Sequence, residues 1–292
     1  MAVSNSLSTR PKFSVAIQSE GYKNLINNTL SDPRRAAKFI ASITSAVAVN
    51  PALQECDPST ILSAGLLGEA LNLSPSPQLG MYFMVPYDDK KRGCKVAQFQ
   101  IGYKGLLQLA IRSGYYKKIN VLPIKEGELI RFEPLSEEID VKLIEDDVVR
   151  DNTPTMGYYC FFEYLNGFRK ALYWSYEKMI SHADQYSKAF SRETYEKIQR
   201  GEIPKSDMWK YSSFYYKDFD LMACKTMLRQ LLSKWGIMST ELENALSYDQ
   251  GVGVIKDGKL NGVDYVDAVD AVDELPIIAS SEPVSKSADP LA

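Results

Sequence analysis

Residues 80 to 114 limit the fold of this chain more closely than any other stretch. "GMYFMVPY" and "CKVAQFQIGY" read as strands, and the polar "DDKKRGC" between them has the charge and glycine of a hairpin turn. "KGLLQLAIRSG" then switches to helical spacing and is closed by Gly114. A short turn of this kind joins antiparallel strands. The segment therefore specifies a hairpin followed by a helix, and the rest must pack around it.

Helices are expected on both sides. In "SDPRRAAKFIASITSAVAVNPAL", Asp32 or Ser31 can cap a helix, Pro33 suits its first turn, and Phe39, Ile43, Ala46 and Val47 recur at helical spacing before Pro51. "DPSTILSAGLLGEALNL" gives a second helix over about residues 58–72. After residue 114 come the strand-like runs "KKINVLPIK", "ELIRFEP", "DVKLIE", "TMGYYCFFEYL" and "RKALYWSY", the last two joined at "NGF". The aromatic alternation of residues 156–164 suits a half-buried sheet. "SYEKMISHADQYS" and "YKDFDLMACKTMLRQLLSKWG" return to helical spacing. Residues 1–18 are polar, and the chain beyond 248 is rich in Gly, Asp and Ser, so both are expected to be disordered. Strands grouped between helices make the class α+β.

Several kinds of chemistry lack their signatures. No G-x-x-x-x-G-K-[ST] and no G-x-G-x-x-G after a strand occurs. The four cysteines, Cys56, Cys94, Cys160 and Cys224, are far apart, which suits free thiols better than zinc or a disulfide framework. His182 is the only histidine, so a histidine metal site or a Ser-His-Asp triad would rest on it alone. No run approaches the length of a transmembrane helix and no signal peptide is evident, so a soluble, cytoplasmic protein is expected.

Charge is segregated along the chain. Residues 240–292 hold eleven Asp or Glu against three Lys, which leaves the first 239 residues at +5 although the whole chain is at -3. Another ten carboxylates lie between Glu126 and Asp151. Within the basic remainder, residues 90–118 hold eight Lys or Arg, three Tyr and one Phe without one Asp or Glu. On a helix, Lys104, Gln108 and Arg112 share one face, while Leu106, Leu107, Ala110 and Ile111 are expected in the core. Such a face suits a phosphate backbone, and tyrosines can stack on bases. The bland alternatives are a solvated helix face and core tyrosines. A second basic set runs from Lys188 to Lys234, where "SRETYEKIQRGEIPKSDMWKYSS" reads as a flap or a surface excursion.

"LGEALNLSPSPQLGMYFMVPY", "VAQFQIGYKGLLQLAIRSG" and "MACKTMLRQLL" together resemble the RecT family of phage single-strand annealing proteins, over about residues 31–235. The resemblance implies a curved antiparallel sheet backed and flanked by helices, similar to the Redβ and Rad52 annealing proteins. It implies ATP-independent binding and annealing of single-stranded DNA without a cofactor, through an annealed duplex intermediate. It also implies a homo-oligomeric ring or helical filament, in a bacterial host, beside a phage exonuclease and the host single-strand binding protein.

By motif, the DNA role falls on Gln100, Tyr103, Lys104, Arg112, Lys225 and Arg229, with Gln78 in the preceding loop. Lys117, Lys118, Lys188, Arg192, Lys205 and Lys210 join on charge alone. The division expected is an N-terminal arm and helix for subunit contacts (1–50), an annealing core (51–240) and an acidic flexible tail for partner binding (241–292). A single-strand coat protein without annealing activity, or a nuclease with an unrecognised metal site, remains as the alternative.

Overall fold

The computed structural model describes residues 11–187, 189–211, 213–256 and 259–265. The first four α-helices among the described residues are α1 (Phe13–Ala16), α2 (Glu20–Leu30), α3 (Pro33–Ala48) and α4 (Pro58–Ala70). The Asp-Pro pairs act as the sequence requires. Asp32 accepts from the Arg34 N–H and Asp57 from the Ser59 N–H, each at 2.9 Å, with proline in the first turn. Residues 11–18 correct the expectation of disorder. Their polar composition conceals Phe13 and Ile17, one helical turn apart, and both are buried in the main core. α4 is buried on every side from Thr60 to Gly68 and is the central element of that core.

The hairpin forms as read. β1 (Tyr82–Asp89) and β2 (Cys94–Ile101) pair antiparallel from Tyr82↔Ile101 to Asp89↔Cys94 without a register shift. The carboxylate of Asp89 accepts from the Lys91 and Arg92 N–H groups and fixes the turn. α5 (Tyr103–Arg112) follows directly. It buries Leu106, Leu109 and Ala110 and partly buries Leu107, but Ile111, expected in the core, is 57% exposed.

Next come β3 (Tyr116–Lys125), β4 (Leu129–Glu133), β5 (Glu138–Val141), α6 (Asp147–Asn152), β6 (Thr155–Tyr164) and β7 (Arg169–Ser175). β6 lies between β3 and β7 in a three-stranded antiparallel sheet, while β4 and β5 form their own hairpin. The class is thus mixed helix and antiparallel sheet, with the strands divided among separate ladders.

β6 shows why five of its ten residues are aromatic. Tyr158, Cys160, Phe162 and Tyr164 enter one core with α7 (Tyr176–Tyr186), α8 (Arg192–Gln199), α9 (Phe214–Lys217) and α10 (Phe219–Trp235). Tyr159 and Phe161 enter another, with Ile124 and the β4–β5 residues Leu129, Ile139 and Val141. Alternation serves two covered faces here, where one half-buried face was expected.

The chain after 248 also departs from the sequence reading. α11 (Thr240–Tyr248) is followed by β8 (Val252–Lys256) and β9 (Lys259–Asp264), which pair as a hairpin. Gln250 donates to the Phe99 carbonyl at 2.8 Å and Phe99 donates to that of Gly251 at 2.9 Å, so this segment is stitched to β2. The glycines that suggested disorder permit close approach instead. A Cβ on Gly253 would stand 2.7 Å from that of Ser63 on α4. The acidic residues from 266 onward lie outside the described residues.

Asp249 fastens this junction, and its side chain has no exposed surface. It accepts from the Ile101 N–H and the Lys225 ammonium, both at 3.0 Å, and from the Arg229 guanidinium. Burial pushes the Lys225 ammonium below its ordinary pKa, against the opposing pull of Asp249. Asp249→Ala should cost about 3–5 kcal/mol in urea denaturation, because Lys225 is then buried without a counter-charge. Adding Lys225→Met to that variant should recover part of the loss.

Glu128 is a second fully buried carboxylate. It pairs with Arg150 at 2.6 Å and accepts from the Lys125 and Ile144 N–H groups. Burial alone would raise its pKa, but Arg150 and the two backbone donors outweigh burial and hold it below the usual carboxylate value. A depressed folded pKa gives stability that is present above the unfolded value of about 4.3 and lost as pH falls through the folded one. Glu128→Gln should therefore lower the urea midpoint at pH 7 and flatten its acid-side fall between about pH 5 and 3.

Candidate nucleic-acid interface

The loop between α4 and β1 is pressed against the start of α5, and glycine makes this possible. A Cβ on Gly102 would lie 2.1 Å from the Gly80 carbonyl oxygen, and one on Gly105 would lie 2.1 Å from that of Met81. Both obstacles are backbone atoms, so no side chain can yield. Gly102 also donates to the Met81 carbonyl at 2.8 Å, and Gly80 closes the loop with φ +63°. The "LG" and "IGYKG" glycines thus bring together two stretches more than twenty residues apart in the chain.

Gln78 is exposed in this loop, and Lys104 is exposed beside it. The Lys104 Cδ lies 3.6 Å from the Cβ position of Gly80. Gln100 is half-buried on β2 opposite Phe83. Tyr103 packs along the core, and burial raises its phenol pKa, with Cys224 and Asp218 of the α10 start adding to the shift. Tyr116, whose ring lies against Phe162 and Tyr164, is likewise a packing residue, whereas Tyr115 is 50% exposed.

The other expected cations divide by partner. Arg112 donates to the Leu71 and Asn72 carbonyls at 2.9 and 3.2 Å, so it closes the C-terminus of α4, where a cation is favoured. Lys225 is inside the protein on Asp249, and Arg229 shares that carboxylate; the expectation that Lys225 faces a phosphate gives way to an anchoring position. Lys117 pairs with Glu163 at 2.6 Å, while the neighbouring Lys118 is exposed. Arg192 lies between Glu177 and Glu196, and Lys210 lies 3.2 Å from Asp207. Lys205 is exposed. Lys188 lies outside the described residues.

The cationic run of residues 90–118 is therefore half engaged internally. Lys95 pairs with Glu55, Arg92 with Asp89 and Asp264, Lys117 with Glu163, and Arg112 with α4. Lys90, Lys91, Lys104 and Lys118 remain exposed, and none forms an ion pair among the described residues.

Sequence reasoning did not single out Phe83 or Phe214, and it took Lys217 only as one cation of the second basic set. The rings of Phe83 on β1 and Phe214 on α9 approach with centroids 5.2 Å apart, and the Lys217 ammonium lies 5.5 Å from the Phe214 ring. The strand alternation held half of the signal, because Tyr82 and Met84 are core and Phe83 shares the opposite face with Gln100. Nothing in the sequence places Phe214 beside it.

Among the described residues, no group of three His, Cys, Asp or Glu side chains is arranged to hold a metal ion. The cysteines are free, and burial pushes the Cys56 and Cys224 thiols up to about 12. No helix among the described residues is long and apolar enough to cross a membrane.

Comparison with known proteins gives this arrangement a context. YqaK of Bacillus subtilis (strain 168), described as uncharacterized, is 39% identical over 214 residues, covering 73% of this chain and 64% of YqaK. Protein RecT of Escherichia coli (strain K12) is 31% identical over 134 residues, covering 45% of this chain and 49% of that protein. The chain thus spans less than two thirds of the length of either relative. The model of the RecT family matches residues 37–260, which take in the hairpin, α5, the three-stranded sheet and α10; the chain belongs to the RecT family.

Proposed function

We propose that this protein binds single-stranded DNA and anneals it to a complementary strand without ATP, as a recombination protein of the phage type. The observation that carries this reading is the exposed Lys104 at the glycine-tightened junction of loop 77–81 and α5, inside the segment that matches the family. Lys217 on α9 lies 5.5 Å from the ring of Phe214, whose partner Phe83 borders Gly80. Neither lysine forms an ion pair among the described residues, so each is available to a phosphate. Phosphate contacts supply sequence-independent affinity by releasing counterions. They also leave Watson–Crick edges free, and annealing requires this, because the second strand is tested by pairing itself.

Annealing over many nucleotides is served by neighbouring subunits that continue one groove, and we infer that the chain self-associates. α3 presents Ala37, Ala41, Thr44 and Ala48 on an open groove, and small residues permit close helix packing. The acidic residues after 265 would meet an exonuclease or a host single-strand binding protein.

The direct test is pairing of two complementary fluorescent oligonucleotides, without ATP, with and without the protein. Acceleration is expected. Tight single-strand binding without acceleration would leave a coat protein, and cleavage of labelled DNA with magnesium or manganese would indicate a nuclease. Lys104→Ala with Lys217→Ala should weaken single-strand binding and reduce the slope of log K against log salt by about 1.4, at about 0.7 per lost phosphate contact. Arg112→Ala should leave that slope unchanged and lower stability by up to about 1 kcal/mol, because its guanidinium serves the end of α4.

A further inference from the structure

The Phe83–Phe214 pair has no part in the electrostatic reading. Its rings are inclined by 42° and both side chains are only partly buried. Phenylalanine has no polar group to satisfy at a surface and is more often found inside. On the same stretch, Tyr215 and Phe219 take the core positions. Phe214 is turned the other way, to the ring of Phe83.

The surroundings of the pair are also particular. A Cβ on Gly102 would come within 3.2 Å of the Phe83 Cε2, and one on Gly80 within 3.9 Å of its Cζ, so two glycines border the ring. Lys104 lies beside Gly80, and Lys217 beside the Phe214 ring. Partly buried aromatic rings flanked by cations that form no ion pair among the described residues have the composition of a single-strand binding surface, with rings for bases and ammonium groups for phosphates.

We propose that Phe83 and Phe214 form a stacking platform for the bases of single-stranded DNA, with Lys104 and Lys217 holding the flanking phosphates. This rests on the single-strand binding proposed above and adds a base contact to it. Stacking engages the face of a base and leaves its Watson–Crick edge open. It tolerates any sequence, because every base has a π-face. The platform therefore holds bases without reading them, as an annealing surface requires. The competing role for the pair is a fastener that ties α9 to the hairpin.

The test compares an oligothymidylate with an abasic sugar–phosphate oligomer of equal length, at one salt concentration, by fluorescence anisotropy. The protein should bind the thymidylate about tenfold or more tightly over the abasic oligomer. Phe83→Leu with Phe214→Leu should bring the two affinities together by weakening the thymidylate alone, while Phe214→Trp should keep the preference. Equal binding of both oligomers by the unaltered protein would overturn the platform and leave phosphate binding in place. So would a leucine variant that weakens both oligomers together, which is the behaviour of a fastener. Absence of binding to either oligomer would remove the single-strand reading itself, and the platform with it.

Discussion

The buried carboxylate of Asp249 is the interaction on which the arrangement of the site depends. It joins the end of β2, through the Ile101 N–H, to α10, through Lys225 and Arg229. Three segments far apart in sequence thereby meet one residue before α5 begins its approach through Gly102. A buried ion pair of this kind adds little net stability over an apolar contact of the same shape, because two charges must be desolvated. It is strict about geometry, however, since a partner that shifts leaves a charge unmatched in the interior. The segment after α11, which composition suggested was loose, supplies this residue and continues onto β2.

Glycine does the same work on the other side of α5. Gly102 and Gly105 are held against the carbonyls of Gly80 and Met81 at distances that exclude any Cβ. The helix start, the loop and the strand β1 consequently form one surface. Lys104 and Phe83 stand on it at positions fixed by backbone contacts, which vary less than side-chain packing. The glycines that carry the family resemblance are thus explained by what they bring together.

The positive charge of the chain is divided between two tasks. Arg112, Lys225, Arg229 and Lys117 hold carbonyls or carboxylates of the protein itself. Lys90, Lys91, Lys104, Lys118, Lys205 and Lys217 are exposed and form no ion pair among the described residues. Net charge describes the sum of these groups, whereas a cation without a partner inside the protein is the more open to a phosphate. Exposed ion pairs such as those of Arg192 add little to stability and leave the cation partly available to a competing anion.

Local structure was largely legible in the sequence. Asp-Pro caps, the β1–β2 alternation, the closing Gly114 and the helical spacing of α3, α5 and α10 are short-range signals, because the interactions behind them join residues within a few positions of each other. The class followed from them, while the family followed from the resemblance of three motifs to those of RecT proteins. Burial was legible only where one face was plainly apolar. Phe13 and Ile17 were hidden by polar neighbours, Ile111 was wrongly placed inside, and Gly251 and Gly253 suggested disorder where they allow close contact. The sequence by itself determined which segments are helices and strands, and that a cationic block lies at the hairpin and α5. Only the tertiary structure decided which of those cations face outward, and that Phe214 meets Phe83. A lysine is the same residue whether it meets an aspartate or open solvent, and the difference lies in contacts between segments distant along the chain.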